Sequence, residues 1–160
     1  MDMTRFLLVC SALLLSACQS TAPVGVLNAE QFIQNNQEFR PQVNHTTVQR
    51  AALADALTQH GPVHLVIYFG AWCHDSEREL PRLLALLKEL PPTLVSYELY
   101  GLDKQKNDPA NRARAHRITR TPTVVLETDN AEIGRIVEQP QQNWAEDLAL
   151  VLEQNLALRQ

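Results

Sequence analysis

The side chain with the clearest capacity for covalent chemistry is Cys73, in the run Trp72-Cys73-His74-Asp75-Ser76. An apolar segment precedes it, and a helix-like segment follows. A cysteine at a strand-to-helix junction has unpaired backbone N–H groups and the positive end of the helix dipole in front of its sulfur. That setting favours the thiolate, which is the nucleophilic form. His74, when protonated, adds to the effect, and the carboxylate of Asp75 opposes it. An inert, buried cysteine would sit in an apolar run; polar side chains follow this one.

The other cysteines sharpen the point. Arg5, the apolar run Phe6 to Leu15 and the small residues before Cys18 read as an export signal, too short to cross a bilayer as a mature helix. Leu15-Ser16-Ala17-Cys18 resembles a bacterial lipobox, which implies cleavage before Cys18 and acylation of it. Residues 1–17 are then a signal peptide, 18–27 a lipidated N-terminus and tether, and 28–160 a single domain. Cys10 leaves with the signal and Cys18 carries lipid, so Cys73 is the one thiol expected in a compartment where disulfides persist. Gln19 after the acylated cysteine implies, by the same resemblance, a place at the periplasmic face of the outer membrane.

The elements that position Cys73 can be read in order. Asn28 caps a first helix, with Gln31 at the capping-box position and Leu27 placed to staple onto Phe32. A second helix is expected over Thr46 to Gln59, with Val48, Ala52 and Ala56 on one side. Val63 to Phe69 is rich in β-branched and aromatic residues, as in a strand buried on both faces. Gly70-Ala71-Trp72 turns the chain into a helix from about Cys73 to Leu90, with Leu80, Leu83, Leu84, Leu87 and Leu90 inward and Pro81 placed to kink it. Strands are expected at Thr93 to Tyr100, Thr123 to Glu127 and Glu132 to Val137. Asp108-Pro109 opens a helix to Arg117, and a last helix covers Gln142 to Leu158. The pattern is α/β, with a mixed central sheet and helices on both faces.

With those elements in place, the chain resembles the thioredoxin superfamily. Trp72-Cys73-His74-Asp75-Ser76 stands where that family has W-C-x-x-C. Pro81 stands eight residues on, where the family's active-site helix kinks, and Ile118-Thr119-Arg120-Thr121-Pro122-Thr123 resembles the loop ending in a cis-proline. The resemblance implies a thioredoxin-like fold in which Thr121 and Pro122 dock an extended substrate beside Cys73, Trp72 shapes the surface, and Arg120 and His74 tune the thiolate. It also shows two departures. Ser76 replaces the resolving cysteine, and Ile67 replaces the buried acid that assists it. A dithiol cycle is thereby excluded; a mixed disulfide on Cys73 must be resolved by an external thiol.

A net charge of −4 argues against nucleic-acid binding. Lys104, Lys106, Arg112, Arg114, Arg117 and Arg120 concentrate basic charge near the proline loop, as a solvated face or a field that steers anions. His45, His60 and His64 share no metal-ligand spacing, so no metal or other cofactor is expected. The expected activity is thiol–disulfide exchange at the cell envelope, on protein thiols or disulfides, with the resolving thiol supplied by the substrate, by a small thiol or by another protein. A one-cysteine peroxide reductase fits less well. The rival reading is a redox-inactive binding module serving envelope protein assembly or cofactor maturation.

Overall fold

The structure, a computed structural model, describes residues 22–41 and 47–159. The signal peptide and the lipidated Cys18 expected from the sequence, His45 and the side chain of Val48 lie outside the described residues.

Five strands form one mixed sheet in the order β1-β3-β2-β4-β5. Strand β2 (Val63–Phe69) is central. It runs parallel to β3 (Val95–Gly101), to which α3 (His74–Lys88) connects it, and antiparallel to β4 (Thr123–Thr128). Strand β5 (Ala131–Val137) returns from β4 through Asp129 and Asn130, both at positive φ, as a two-residue hairpin turn of this kind requires. Three residues of the expected tether are structured: β1 (Gly25–Leu27) pairs antiparallel with β3, placing Gly25 opposite Gly101.

Alternation along β2 divides the interior. Val63, Leu65, Ile67 and Phe69 face a large apolar core, while Val66 and Tyr68 face a smaller one. The large core is closed by α1 (Ala29–Asn35), α2 (Thr47–His60), α3 and α5 (Trp144–Leu158). The small one is closed by Leu102, by Ala113 of α4 (Arg112–Ala115) and by Ile118. Helices therefore lie on both faces, unevenly.

Caps explain several boundaries. Asn28 Oδ1 accepts from the Gln31 N–H at 2.9 Å, and Asn143 Oδ1 accepts from the Glu146 N–H at 3.0 Å, so α5 begins at Trp144. The buried stripe of α2 is Leu53, Ala56, Leu57 and His60; of the residues expected to share one side, Ala56 is buried and Ala52 is exposed. The helix expected from Asp108 to Arg117 shrinks to four residues. The Asp108 carboxylate accepts from the N–H groups of Ala110, Arg112 and Ala113, and Asn111 takes a left-handed conformation that holds the chain out of a helix until Arg112. Helix α3 runs on through Pro81.

Candidate thiol site at the junction of β2 and α3

Cys73 is the N-cap of α3, in extended backbone conformation, and its N–H donates to the Gly70 carbonyl at 2.9 Å. Gly70 is required by close approach, because a Cβ there would collide with the Trp72 indole. The indole is itself latched: its Nε1–H donates to the Leu102 carbonyl at 2.8 Å, and Lys106 Nζ sits 5.6 Å from the ring centre. Half-buried Trp72 thus forms one wall beside the half-buried thiol.

The proline loop forms the opposite wall. The Thr121-Pro122 bond is cis, both residues are buried, and the Cys73 S–H donates to the Thr121 carbonyl at 3.2 Å. Thr123 fastens the loop by donating its hydroxyl to the Arg120 carbonyl at 2.8 Å, and the Glu138 N–H donates to the Pro122 carbonyl at 2.7 Å.

Ser76 is fully buried, and its Oγ accepts from the Gly70 N–H at 3.2 Å. It therefore fastens the turn that carries Trp72 and Cys73. Burial pushes the Cys73 thiol up. Hydrogen bonding from the side chain of Thr121, from the N–H and hydroxyl of Ser76 and from the Asp75 N–H outweighs it, so the balance lies below the ordinary thiol value. A carbonyl that accepts from the thiol and donors that serve the thiolate thus meet at one sulfur.

The structure brings together Trp72, Cys73, Ser76, Thr121 and Pro122. His74 and Arg120 do not join them. The His74 side chain is 86% exposed and lies 3.8 Å from Glu77, and the 63% exposed Arg120 pairs with Glu138 at 2.7 Å. Neither is among the leading causes that shift the Cys73 thiol. The Asp75 carboxylate is engaged by Arg78 at 2.7 Å, and what reaches the sulfur is its N–H. Nor do the basic residues make one field: Arg112 pairs with Glu98 at 3.1 Å and lies over the Tyr100 ring, and Lys106 lies over Trp72.

Glu79 escaped the sequence reading. Its carboxylate is buried and accepts from Arg78 Nε at 2.8 Å, Arg82 Nη1 at 3.2 Å and Trp144 Nε1 at 3.2 Å, locking the first turns of α3 to α5. The signal was its spacing: Glu79 falls three residues after Ser76 and four before Leu83, on the inward stripe. Among the described residues no group of histidine, cysteine or acidic side chains could hold a metal ion.

No protein-family model and no curated protein matches the chain. Solved structures do resemble it. Trxlp from Edwardsiella tarda EIB202 is 19% identical, with a TM-score of 0.44, over 71% of this chain and 96% of its own. Thioredoxin from Aeropyrum pernix is 14% identical, with a TM-score of 0.44, over 88% and 97%. Thioredoxin O2 from Arabidopsis thaliana is 17% identical, with a TM-score of 0.42, over 74% and 95%. The fold is thioredoxin-like: a mixed five-stranded sheet with a cysteine at the head of α3 facing a cis-proline loop. The likeness is one of fold, and the chemistry of Cys73 stands on the chain's own residues.

Proposed function

We propose that this chain is a thiol–disulfide exchange protein, tethered to the cell envelope by lipid on Cys18, that works through a mixed disulfide on Cys73. The observation that carries the reading is the sulfur's setting. It is partly exposed, faces donors from Asp75, Ser76 and Thr121, and has a buried serine in place of a second thiol. The Cys73 thiolate attacks one sulfur of a disulfide; a new S–S bond forms, and the other sulfur leaves as a thiolate with the bonding pair. A second thiol on the substrate, or a small external thiol, then attacks the mixed disulfide and returns Cys73 to its reduced form. Reduction and isomerisation fit this cycle; net oxidation does not, because the site has no internal disulfide to donate.

Support for the anchor comes from the lipobox-like Leu15-Ser16-Ala17-Cys18, and residue 19 favours the periplasmic face of the outer membrane. The test is the rate of Cys73 alkylation against pH. An inflection well below the unperturbed value of about 8.5 is expected. An inflection at or above it would overturn exchange and leave a redox-inactive binding module as the better reading.

A further inference from the structure

Strand direction places the N-terminal segment and the thiol at the same end of the molecule. Strands β2 and β3 run parallel toward Phe69 and Gly101, and Cys73 lies four residues beyond Phe69. Strand β1 runs the other way, so its first residue, Gly25, sits opposite Gly101 at the thiol end. The Pro23 carbonyl packs on the face of Gly101 so closely that no Cβ would fit there. The next residue, Leu102, ties Gly101 to the site: its N–H donates to Phe69 at 2.8 Å, and its carbonyl holds the Trp72 indole. Pro23, Gly101, Leu102, Trp72 and Cys73 thus form one continuous path.

The chain from Cys18 to Pro23 is five residue steps, which span at most about 17–18 Å however they are arranged. On the same segment Val24 and Val26 are 38% and 61% exposed, and exposed Lys104 stands in the loop after β3. These are an apolar pair and a cation suited to an acyl and anionic headgroup boundary.

Resting on the proposed lipidation and exchange chemistry, we infer that the short tether holds the Cys73 end of the molecule against the bilayer, so that its substrates are disulfides carried at the membrane surface. A probe is a phosphatidylethanolamine with a pyridyl disulfide on its headgroup: Cys73 attacks it, a Cys73–lipid disulfide forms, and pyridine-2-thione leaves with the electron pair. The acylated full chain, in vesicles of phosphatidylethanolamine and phosphatidylglycerol, is compared with a variant carrying twenty Gly/Ser residues between Ser20 and Thr21, outside the described fold. A soluble pyridyl disulfide peptide serves as reference. The spacer should slow reaction with the lipid-borne disulfide roughly tenfold, as effective concentration falls with about the 3/2 power of tether length, and leave the soluble rate unchanged. Equal lipid-borne rates in the two forms would overturn the inference and favour soluble substrates. A chain that mass spectrometry shows to be unacylated removes the anchor, and a thiol inert to the soluble peptide removes the exchange chemistry; the inference falls with either, each distinguishable from the spacer result.

Discussion

The two faces of the sheet are closed in opposite ways, although β2 supplies side chains to both. The first face is dry: Leu65, Ile67 and Phe69 meet leucines of α2, α3 and α5 and the rings of Phe32 and Phe39. On the second face, Tyr68 and Tyr100 lie under a four-residue helix, within a polar ring. His116 Nε2 lies 3.5 Å from Glu127, Arg112 spans toward Glu98 and Glu127, and His64 Nδ1 bonds Ser96 Oγ at 2.8 Å. The first face draws its stability from buried apolar area, and the second from fewer, directional contacts. Cys73 lies where the two closures meet. Its helix belongs to the first face, and the loop that accepts its S–H follows directly from Ile118 of the second. The thiol is seated on a helix of the first face and faced by a loop fastened through hydrogen bonds.

The largest effect should come from the first face. Phe69 is fully buried, with ring centres 4.9 Å from Phe32 and 5.8 Å from Phe39. Phe69→Ala should cost about 3–5 kcal/mol in chemical denaturation. A loss under about 1 kcal/mol would break the contrast, because that face would then be no more tightly packed than the other.

Next comes Glu79, a buried charge on α3 that the sequence reading overlooked. Glu79→Ala leaves the Trp144 N–H buried without its acceptor and frees Arg78 from one of its carboxylates. About 2 kcal/mol should be lost, with Glu79→Gln intermediate. Alkylation of Cys73 separates a local role from a global one. If Glu79 merely fastens α3 to α5, the pH inflection of the thiol stays in place while stability falls.

On the second face the sign should reverse. Tyr68 is fully buried, and its hydroxyl has no hydrogen-bond partner among the described residues. Burial pushes the phenol far above its ordinary value, Arg112 pulls it partly back, and Tyr100, Glu127 and Asp108 push it up again. Tyr68→Phe removes a polar group that folding strips of water, so denaturation should show no loss and a gain of up to about 1 kcal/mol. A loss of that size would mean the hydroxyl is satisfied and the second face is better fastened than it looks.

What could be read from the sequence follows the same division. The strands and α3 declare themselves because their apolar residues repeat at the period of the element that buries them, and the junction around Cys73 follows from where those periods change. The cis loop was legible only through resemblance, from Thr121-Pro122 and its place before β4. The second face was less legible because its geometry is set by backbone contacts. Asp108 withdraws three N–H groups from the start of the expected helix, and β1 exists through pairing with β3 rather than through any alternation in Gly25–Leu27. His74 and Arg120 were placed by sequence position alone. Whether a charged side chain reaches a sulfur depends on nearer partners, and Glu77 and Glu138 are those partners.

The smallest effect concerns the seam itself, and its sign is informative. Burial raises the Cys73 thiol, but the donors from Thr121, Ser76 and Asp75 lower it by more, leaving it below the ordinary value. Between that lowered value and about 8.5, the unfolded chain holds more protons on this cysteine than the folded one. The contribution of Cys73 to stability should therefore grow as pH rises through that window, level off above it, and vanish as pH falls below the folded value. Denaturation of the wild type and of Cys73→Ala at a series of pH values isolates the contribution, since every other titrating group is common to both. The difference should move in favour of the wild type toward alkaline pH. If it moved the other way, burial and the Thr121 carbonyl, which favour the protonated thiol, would outweigh the donors of α3. The seam would then hold a thiol rather than prepare a thiolate.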